Sequence, residues 1–346
     1  NIFMNNIFFY ALGIYLLIFI IISLFDARAV KTFTDYAVAG RSQNTVNVVF
    51  TLLATIIGAS TTIGITDTVY SIGFPGIWWL MFGAIGLILQ SIFISEPVRS
   101  TEADTLPDLA RIVVGRPAEI IISLIIVISW IGVVAGQLVA MNSLIAFATG
   151  RSDTILFVIV SAIVIIYTLI GGQMSVVKTD KLQFIVIVIG IILCFIYLYF
   201  VRGGDTASIA NNIELINSNY KVPNLLTQFF VIGGVFFLGP DIISRNFMSK
   251  DESTARRSAL LAGIGLFVFS ILITLIGMWV RYNVSAEELG NSKALMYVVG
   301  ILPKFISLPL IFALLSAILS STDTCIINAS SIFVKDILKK DSIVLI

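Results

Sequence analysis

The sequence predicts an all-α polytopic membrane protein, and two observations carry that reading. Of the 346 residues, 58% are hydrophobic and 12% are charged, with a mean hydropathy of +1.04; a soluble domain carries charge at roughly 25% of its positions. Apolar runs of membrane-spanning length, about 20 residues, recur along the whole chain. A β-barrel would show short segments of alternating hydrophobicity instead. The absence of His excludes His triads, His zinc sites and His proton relays, and the two cysteines, Cys194 and Cys325, lie in apolar runs and form no disulfide framework or CxxC site. The net charge of +1 points to no partner, and no basic tract suggests nucleic acid. The lipid bilayer is the partner the composition demands.

Nine spans follow in chain order, 4–25, 44–70, 75–95, 118–148, 153–172, 178–201, 224–247, 256–281 and 306–334, numbered zero to eight. Span zero has no basic leader and no small-residue cleavage site, so it reads as an extra N-terminal span and not a signal peptide. With the N-terminus outside, the inner segments hold 15 of the 21 basic residues, among them Arg28, Lys31, Arg41, Arg245 and Lys335. The outer ones hold six, Arg151, Arg202, Lys221, Arg281, Lys293 and Lys304. That split follows the positive-inside rule and implies an inner-membrane, multi-pass protein. Trp78 and Trp79 then fall at the outer surface. The outer links 203–223 and 282–305 are polar, the second with helical spacing. The inner "STEADTLPDLARIVVGRP" reads as a short amphipathic helix with Leu106, Leu109, Ile112 and Val113 as its apolar face. The start at Asn1 and the end at "DSIVLI" suggest a fragment.

Spans one and six look interrupted. Span one reads "LLATIIGASTTIGITD", crowding Gly58, Ala59, Ser60, Thr61, Thr62 and Gly64 into its middle; span six reads "FFVIGGVFFLGPDIISR", with Gly233, Gly234, Gly239 and Pro240 at a comparable depth. Backbone freed at such breaks must be buried in protein or line a wet cavity. The two spans lie five apart and so run in opposite directions, which is the sequence pattern of a transporter site between inverted halves.

Span eight carries "LSSTDTC" in the middle of a greasy run. At about 100° per residue Ser320, Asp323, Thr324 and Ile327 share a face, with Ala317 one turn earlier. Bonds back to the preceding turn would satisfy one or two hydroxyls. They do not account for five consecutive polar residues including a carboxylate. An intramembrane ionisable residue is a functional candidate by default, and hydroxyl, carbonyl and carboxylate oxygens suit a hard cation.

Four local patterns, "GAS" in span one, "GGQMSVVKTDKLQ" entering span five, "GPDIISR" ending span six and "LSSTDTCIINASSIFVKDI" in span eight, make the chain resemble the sodium:solute symporter family. The resemblance covers essentially the whole chain. It implies a leucine-transporter-like fold with inverted five-helix repeats whose first and sixth helices are interrupted. Residues 1–346 would form one transmembrane transporter domain. Residues 44–201 would form the first repeat and 224–334 the first three helices of the second, with the last C-terminal spans missing. It implies Na+ as coupling ion, held at a principal site by the carbonyls of Ala59, Thr62 and Ala317 and the hydroxyls of Ser320 and Ser321. A second cation site carries over onto Asp180, Ser320, Asp323 and Thr324, with Asp323 standing where the family pattern has a hydroxyl. On the residues alone, Asp180 could equally pair with Lys178 and Lys181 at an inner helix end, and Asp241 with Arg245. The substrate would lie between spans one and six, against Thr61, Ile63, Thr66, Gln137, Ile232, Phe236 and Phe237. The implied partner is a small organic solute, an amino acid, sugar or carboxylate. The residues at positions 232 and 236 differ from the aromatics of proline-transporting members, which argues against proline.

The expected function is secondary active transport, coupling inward Na+ movement to solute uptake by alternating access, with no enzymatic chemistry. The alternative is a transporter-like sensor module of a membrane signalling protein, which a soluble kinase domain after the last span would favour. A channel is disfavoured by the lack of a repeated pore loop or charged ring, and an intramembrane hydrolase by the lack of His and of a GxSxG motif.

Overall fold

The computed structural model describes residues 2–150 and 153–340; Arg151 and the closing "DSIVLI" fall outside them. Among the described residues the only β-pairings are two isolated bridges, Gln43 with Ser249 and Asn217 with Tyr220. Seven helices are long and apolar enough to cross a membrane, and an eighth span is the pair Thr45–Ile56 and Ser60–Ile72, bent by 63°. The ninth comes from the long helix Thr154–Ile196. Its course is broken at Gly172, whose φ of 60° and ψ of −164° are not helical. The residues before and after that break number 18 and 24, enough at 1.5 Å per residue for roughly 27 and 36 Å. Each part is thus long enough to be one of the expected spans four and five, with almost no loop between them.

Each helix start has a local cause. Asn44 accepts from the Asn47 amide and caps span one; Asp251 accepts from the Thr254 amide and caps span seven (Glu252–Asn283). Span three (Arg116–Thr149) opens on Pro117 and ends at left-handed Gly150. In span six the helical turns Val222–Gln228, Phe229–Gly233 and Gly234–Leu238 run on to Gly239, where ψ swings to 141°, and Pro240–Met248 restarts the helix. The interruption lies at Gly239 alone. Gly233 and Gly234 are helical, a correction to the reading that grouped all four residues at the break.

Span eight (Lys304–Ile332) is the centre of the bundle: 83% of its most apolar stretch is buried, against 17% for span three. Lipid is as apolar as Leu, so helices are held by close packing and not by burial from water. Small residues supply it: a Cβ on Gly190 of span five would lie 2.5 Å from that of Ala313 in span eight, and one on Gly86 of span two 2.6 Å from the Gly233 carbonyl oxygen. Tyr15 of span zero adds a 2.5 Å hydroxyl contact to Ser316.

On the side of the 28–44 and 94–116 links, span eight ends in a charge cluster. Lys335 bridges Asp104 (2.6 Å) and Asp108 (3.1 Å), Arg41 reaches Asp104 (2.7 Å), Lys339 reaches Glu119 (2.6 Å) and Thr105 donates to Asp336 (2.7 Å). Beside this cluster the short helix Leu106–Val113 follows the expected face only in its first half: Leu106 and Leu109 pack against the core. Pro107 and Asp108 are buried, whereas Ile112 and Val113 are 50% and 72% exposed.

Candidate functional site

The break in span one is built by Ile57, whose ψ of 77° ends the helix, followed by Gly58. The hydroxyls that follow satisfy the freed backbone. Thr61 Oγ1 accepts from the Gly58 amide (2.8 Å) and donates to the Ile56 carbonyl (2.8 Å), and Thr62 Oγ1 donates to the Gly58 carbonyl (2.8 Å). Beyond them, Ser60–Gly64 forms a wide π-turn. Span eight packs on this break: Ser321 Oγ donates to the Thr55 carbonyl at 2.8 Å, and a Cβ on Gly58 would lie 2.6 Å from that Oγ. Of the principal set, Ser320, Ser321 and Ala317 are buried on span eight, and Ala59 and Thr62 bound the turn. These are hydroxyl and carbonyl oxygens, hard ligands that fit Na+. Among the described residues no group of three or more His, Cys, Asp or Glu side chains is placed to hold a metal ion.

The five polar residues of span eight go to different places. Ser321 faces span one. Thr322 bonds back to the Ile318 carbonyl (2.7 Å). Ser320 Oγ donates to Asp180 Oδ1 at 2.5 Å, and Thr51 Oγ1 donates to the other oxygen of the same carboxylate. Thr324 lies 3.0 Å from Thr55 Oγ1. Asp180 is wholly buried, which overturns its pairing at an inner surface: Lys178 pairs with Asp26 (2.5 Å) and Lys181 donates to Asn47 (3.2 Å).

A residue missed by the sequence reading stands among them. Arg245 Nη2 lies 2.6 Å from Thr324 Oγ1, 2.7 Å from Thr55 Oγ1, 3.1 Å from Thr51 Oγ1 and 3.5 Å from Asp180 Oδ2. Its Nη1 donates to the Asp241 carbonyl (3.3 Å) and to Ser244 (3.0 Å). Asp180, Ser320 and Thr324 do converge, with a guanidinium in their midst. Asp323 does not join them: its carboxyl meets Tyr167 Oη (2.8 and 3.0 Å) and Thr168 Oγ1 (2.6 Å) on span four. The motif "GPDIISR" places Arg245 six residues past Gly239, so its depth was legible. Its direction was not, because four residues of spacing also suggested Asp241 as its partner.

Between spans one, three and six lies a cavity of ≈ 210 Å³, walled in part by Thr61, Gln137, Phe236, Trp79, Trp130 and Asp241. Three of the seven expected substrate residues, Thr61, Gln137 and Phe236, line it. Ile232 instead lines a recess with Tyr220 and Gln228, and Phe237 one with Leu89 and Phe93. Both residues lie on faces of span six turned towards span two and the 203–223 link. Thr66 donates to the Ile63 and Thr62 carbonyls on its own helix, and its carbonyl oxygen lies beside Gly277 of span seven. The π-turn, which adds a residue to one helical turn, shifts both Ile63 and Thr66 off the cavity. Asp241 sits in the cavity wall and not at a membrane face, as Asp67 does in its 2.9 Å pair with Lys293. Trp78 Nε1 donates to the Leu215 carbonyl in the 203–223 link, while Trp79 walls the cavity.

The same arrangement of helices occurs in a solved structure of a Na+-coupled sialic acid symporter in a substrate-bound, outward-open state. It matches with a TM-score of 0.83 at 18% identity, over 98% of this chain and 74% of that one. Relatives include a sodium/pantothenate symporter of Haemophilus influenzae, 25% identical over 88% of this chain, and a high-affinity choline transporter of Drosophila melanogaster, 24% identical over 94%. A high-affinity proline transporter of Bacillus subtilis is 24% identical over 92%. The chain spans 66%, 56% and 71% of the lengths of these three. The family profile matches residues 36–341, and with these motifs and this fold the chain belongs to the sodium:solute symporter family.

Proposed function

We propose that the chain forms the ion- and solute-binding core of a secondary active transporter that couples inward Na+ movement to uptake of a small organic solute by alternating access. The observation that carries this is Ser321 of the central helix, seated on the interruption of span one. Na+, the co-transported ion, is held in this reading by the Ser320 and Ser321 hydroxyls and the Ala59, Thr62 and Ala317 carbonyls. Relatives named as carriers of pantothenate, proline and choline support a small organic solute. Residues 44–201 and 224–334 serve as the first repeat and part of an inverted second one. Two interrupted helices five spans apart support that division. The protein lies in the cell membrane with its N-terminus outside.

The second cation position is filled, in this reading, by Arg245. A guanidinium already compensates Asp180 and takes up the Thr324 hydroxyl, so one Na+ accompanies each solute. Uptake into proteoliposomes is then expected to follow sodium concentration with a Hill coefficient near one. Ser321→Ala should raise the half-saturating sodium concentration about tenfold, the weight of one good ligand contact. A sodium curve identical to wild type in that variant, with the protein folded, sinks the principal site; a wild-type coefficient near two sinks the role given to Arg245.

A further inference from the structure

The cavity beside the span-six break holds three buried polar atoms with no hydrogen-bond partner: Asp241 Oδ1, Gln137 Oε1 and Trp130 Nε1. A buried polar atom left unpaired costs about 1–3 kcal/mol, so three of them around one space describe the hydrogen bonds of what enters it. Two are acceptors and one of those belongs to a carboxylate; the third is a donor. The walls between them are aromatic, Trp79, Trp130 and Phe236.

Charge narrows the solute further. Arg245, the nearest guanidinium, divides its charge between Asp180 and Asp241 and gives the Asp241 carboxyl no hydrogen bond. Its Nη1 donates to the Asp241 backbone carbonyl and its Nη2 is engaged with Asp180 and the threonines. No Lys or Arg lines the cavity. The ordinary role for Asp241, an acid in the first turn of Pro240–Met248 facing the positive end of the helix, stabilises the ionised carboxylate. It does not give Oδ1 a partner. A carboxylate solute would meet like charge here, and a sugar would bring no positive charge to a carboxyl that shares its one guanidinium with Asp180.

We infer that this cavity seats a small organic ammonium ion. Its N–H groups bond to Asp241 Oδ1 and Gln137 Oε1, and an oxygen of the same solute accepts from Trp130 Nε1. The hydrocarbon of the solute lies against the indoles, where a cation adjoining an aromatic ring is favoured. This assignment rests on the transport reading of the same site and names its substrate class.

The test is a thermal-shift series on the full-length protein purified in detergent, in amine-free buffer with either sodium or potassium. The probes are ethanolamine, methylamine, the uncharged 3,3-dimethylbutan-1-ol, glucose and propionate. Ethanolamine is expected to raise the melting temperature in sodium, methylamine less so, and the uncharged and anionic probes not at all. Asp241→Asn should weaken ethanolamine by about tenfold to a hundredfold, the range for a charge-assisted hydrogen bond. Trp130→Phe should weaken ethanolamine more than it weakens methylamine, because only ethanolamine loses a hydrogen bond there. A shift by propionate or glucose and none by the amines overturns the assignment. So does no shift by any amine while sodium alone still stabilises, or undiminished ethanolamine binding in Asp241→Asn. Failure of sodium itself to stabilise the wild type counts instead against the transport reading.

Discussion

Thr168 has one hydroxyl hydrogen and faces two acceptors, the Val164 carbonyl at 2.7 Å and Asp323 Oδ1 at 2.6 Å. Tyr167 brings one more hydrogen to the same carboxyl. Thr168 shares its one hydrogen between its two acceptors, and no described Lys or Arg bonds the carboxyl: the groups facing it are the Tyr167 and Thr168 hydroxyls and the Gln183 side chain, all uncharged. Asparagine reproduces that pattern, an amide N–H towards Thr168 and a carbonyl oxygen towards Tyr167. Asp323→Asn is therefore expected to stay within about 1 kcal/mol of wild type and keep its sodium dependence, whereas Asp323→Ala, which strands two hydroxyls and opens a cavity, should cost about 2–4 kcal/mol. Thermal unfolding of the two variants checks this, and an Asn variant as damaged as the Ala variant would show that the charge is in use. It was the family resemblance that put Asp323 with Asp180, by carrying over a second cation site onto Asp180, Ser320, Asp323 and Thr324. Around the axis, Ser320 and Thr324 are about 40° apart while Asp323 lies about 60° to the other side of Ser320. That angle sends it to span four.

At the scale of elements, Gly172 decides how spans four and five meet. Its φ of 60° with ψ of −164° belongs to a region that only glycine enters readily, and a Cβ there would lie 2.7 Å from the Tyr36 ring. The turn it makes brings Thr168 and Asp180 to the same central helix, each bonded to its own residue on span eight. Gly172→Ala should lower stability by about 2–4 kcal/mol through strain and contact together; a melting temperature equal to wild type would show that the turn relaxes without it. The existence of each span was legible because composition alone sets it. The site of each break was only partly so. "GGVFFLGP" offers three glycines and a proline, and one sequence does not separate the glycine at the break from the others. The Gly233 backbone is approached closely by span two, where a Cβ on Gly86 would lie 2.6 Å from the Gly233 carbonyl oxygen, while a Cβ on Gly233 itself would meet nothing nearer than 3.6 Å; Gly239 carries the bend. Pro240, which lacks an N–H and disfavours a helical residue before it, was the usable signal for Gly239.

For the whole molecule the distribution of charge sets orientation. Arg245 leaves the inner count because it is wholly buried, yet the remaining basic residues still gather at the end that holds the Lys335 cluster. The proposed orientation follows from the positive-inside rule, which predicts that end to face the cytoplasm and the 203–223 and 282–305 links to lie outside. Two single-cysteine variants read this directly. Ser42, in the link before span one, and Glu214, in the link before span six, are both exposed. Cys194 and Cys325 are buried and so give little background. In intact cells a membrane-impermeant thiol reagent should label Glu214→Cys within minutes and leave Ser42→Cys unlabelled until the membrane is permeabilised. The reverse pattern would invert the topology. Labelling of both before permeabilisation would mean that an odd number of crossings does not separate the two links. Five spans lie between them, numbers one to five, and that count requires Gly172 to divide Thr154–Ile196 into two crossings. The experiment thus tests the orientation through its sign and the turn at Gly172 through its parity.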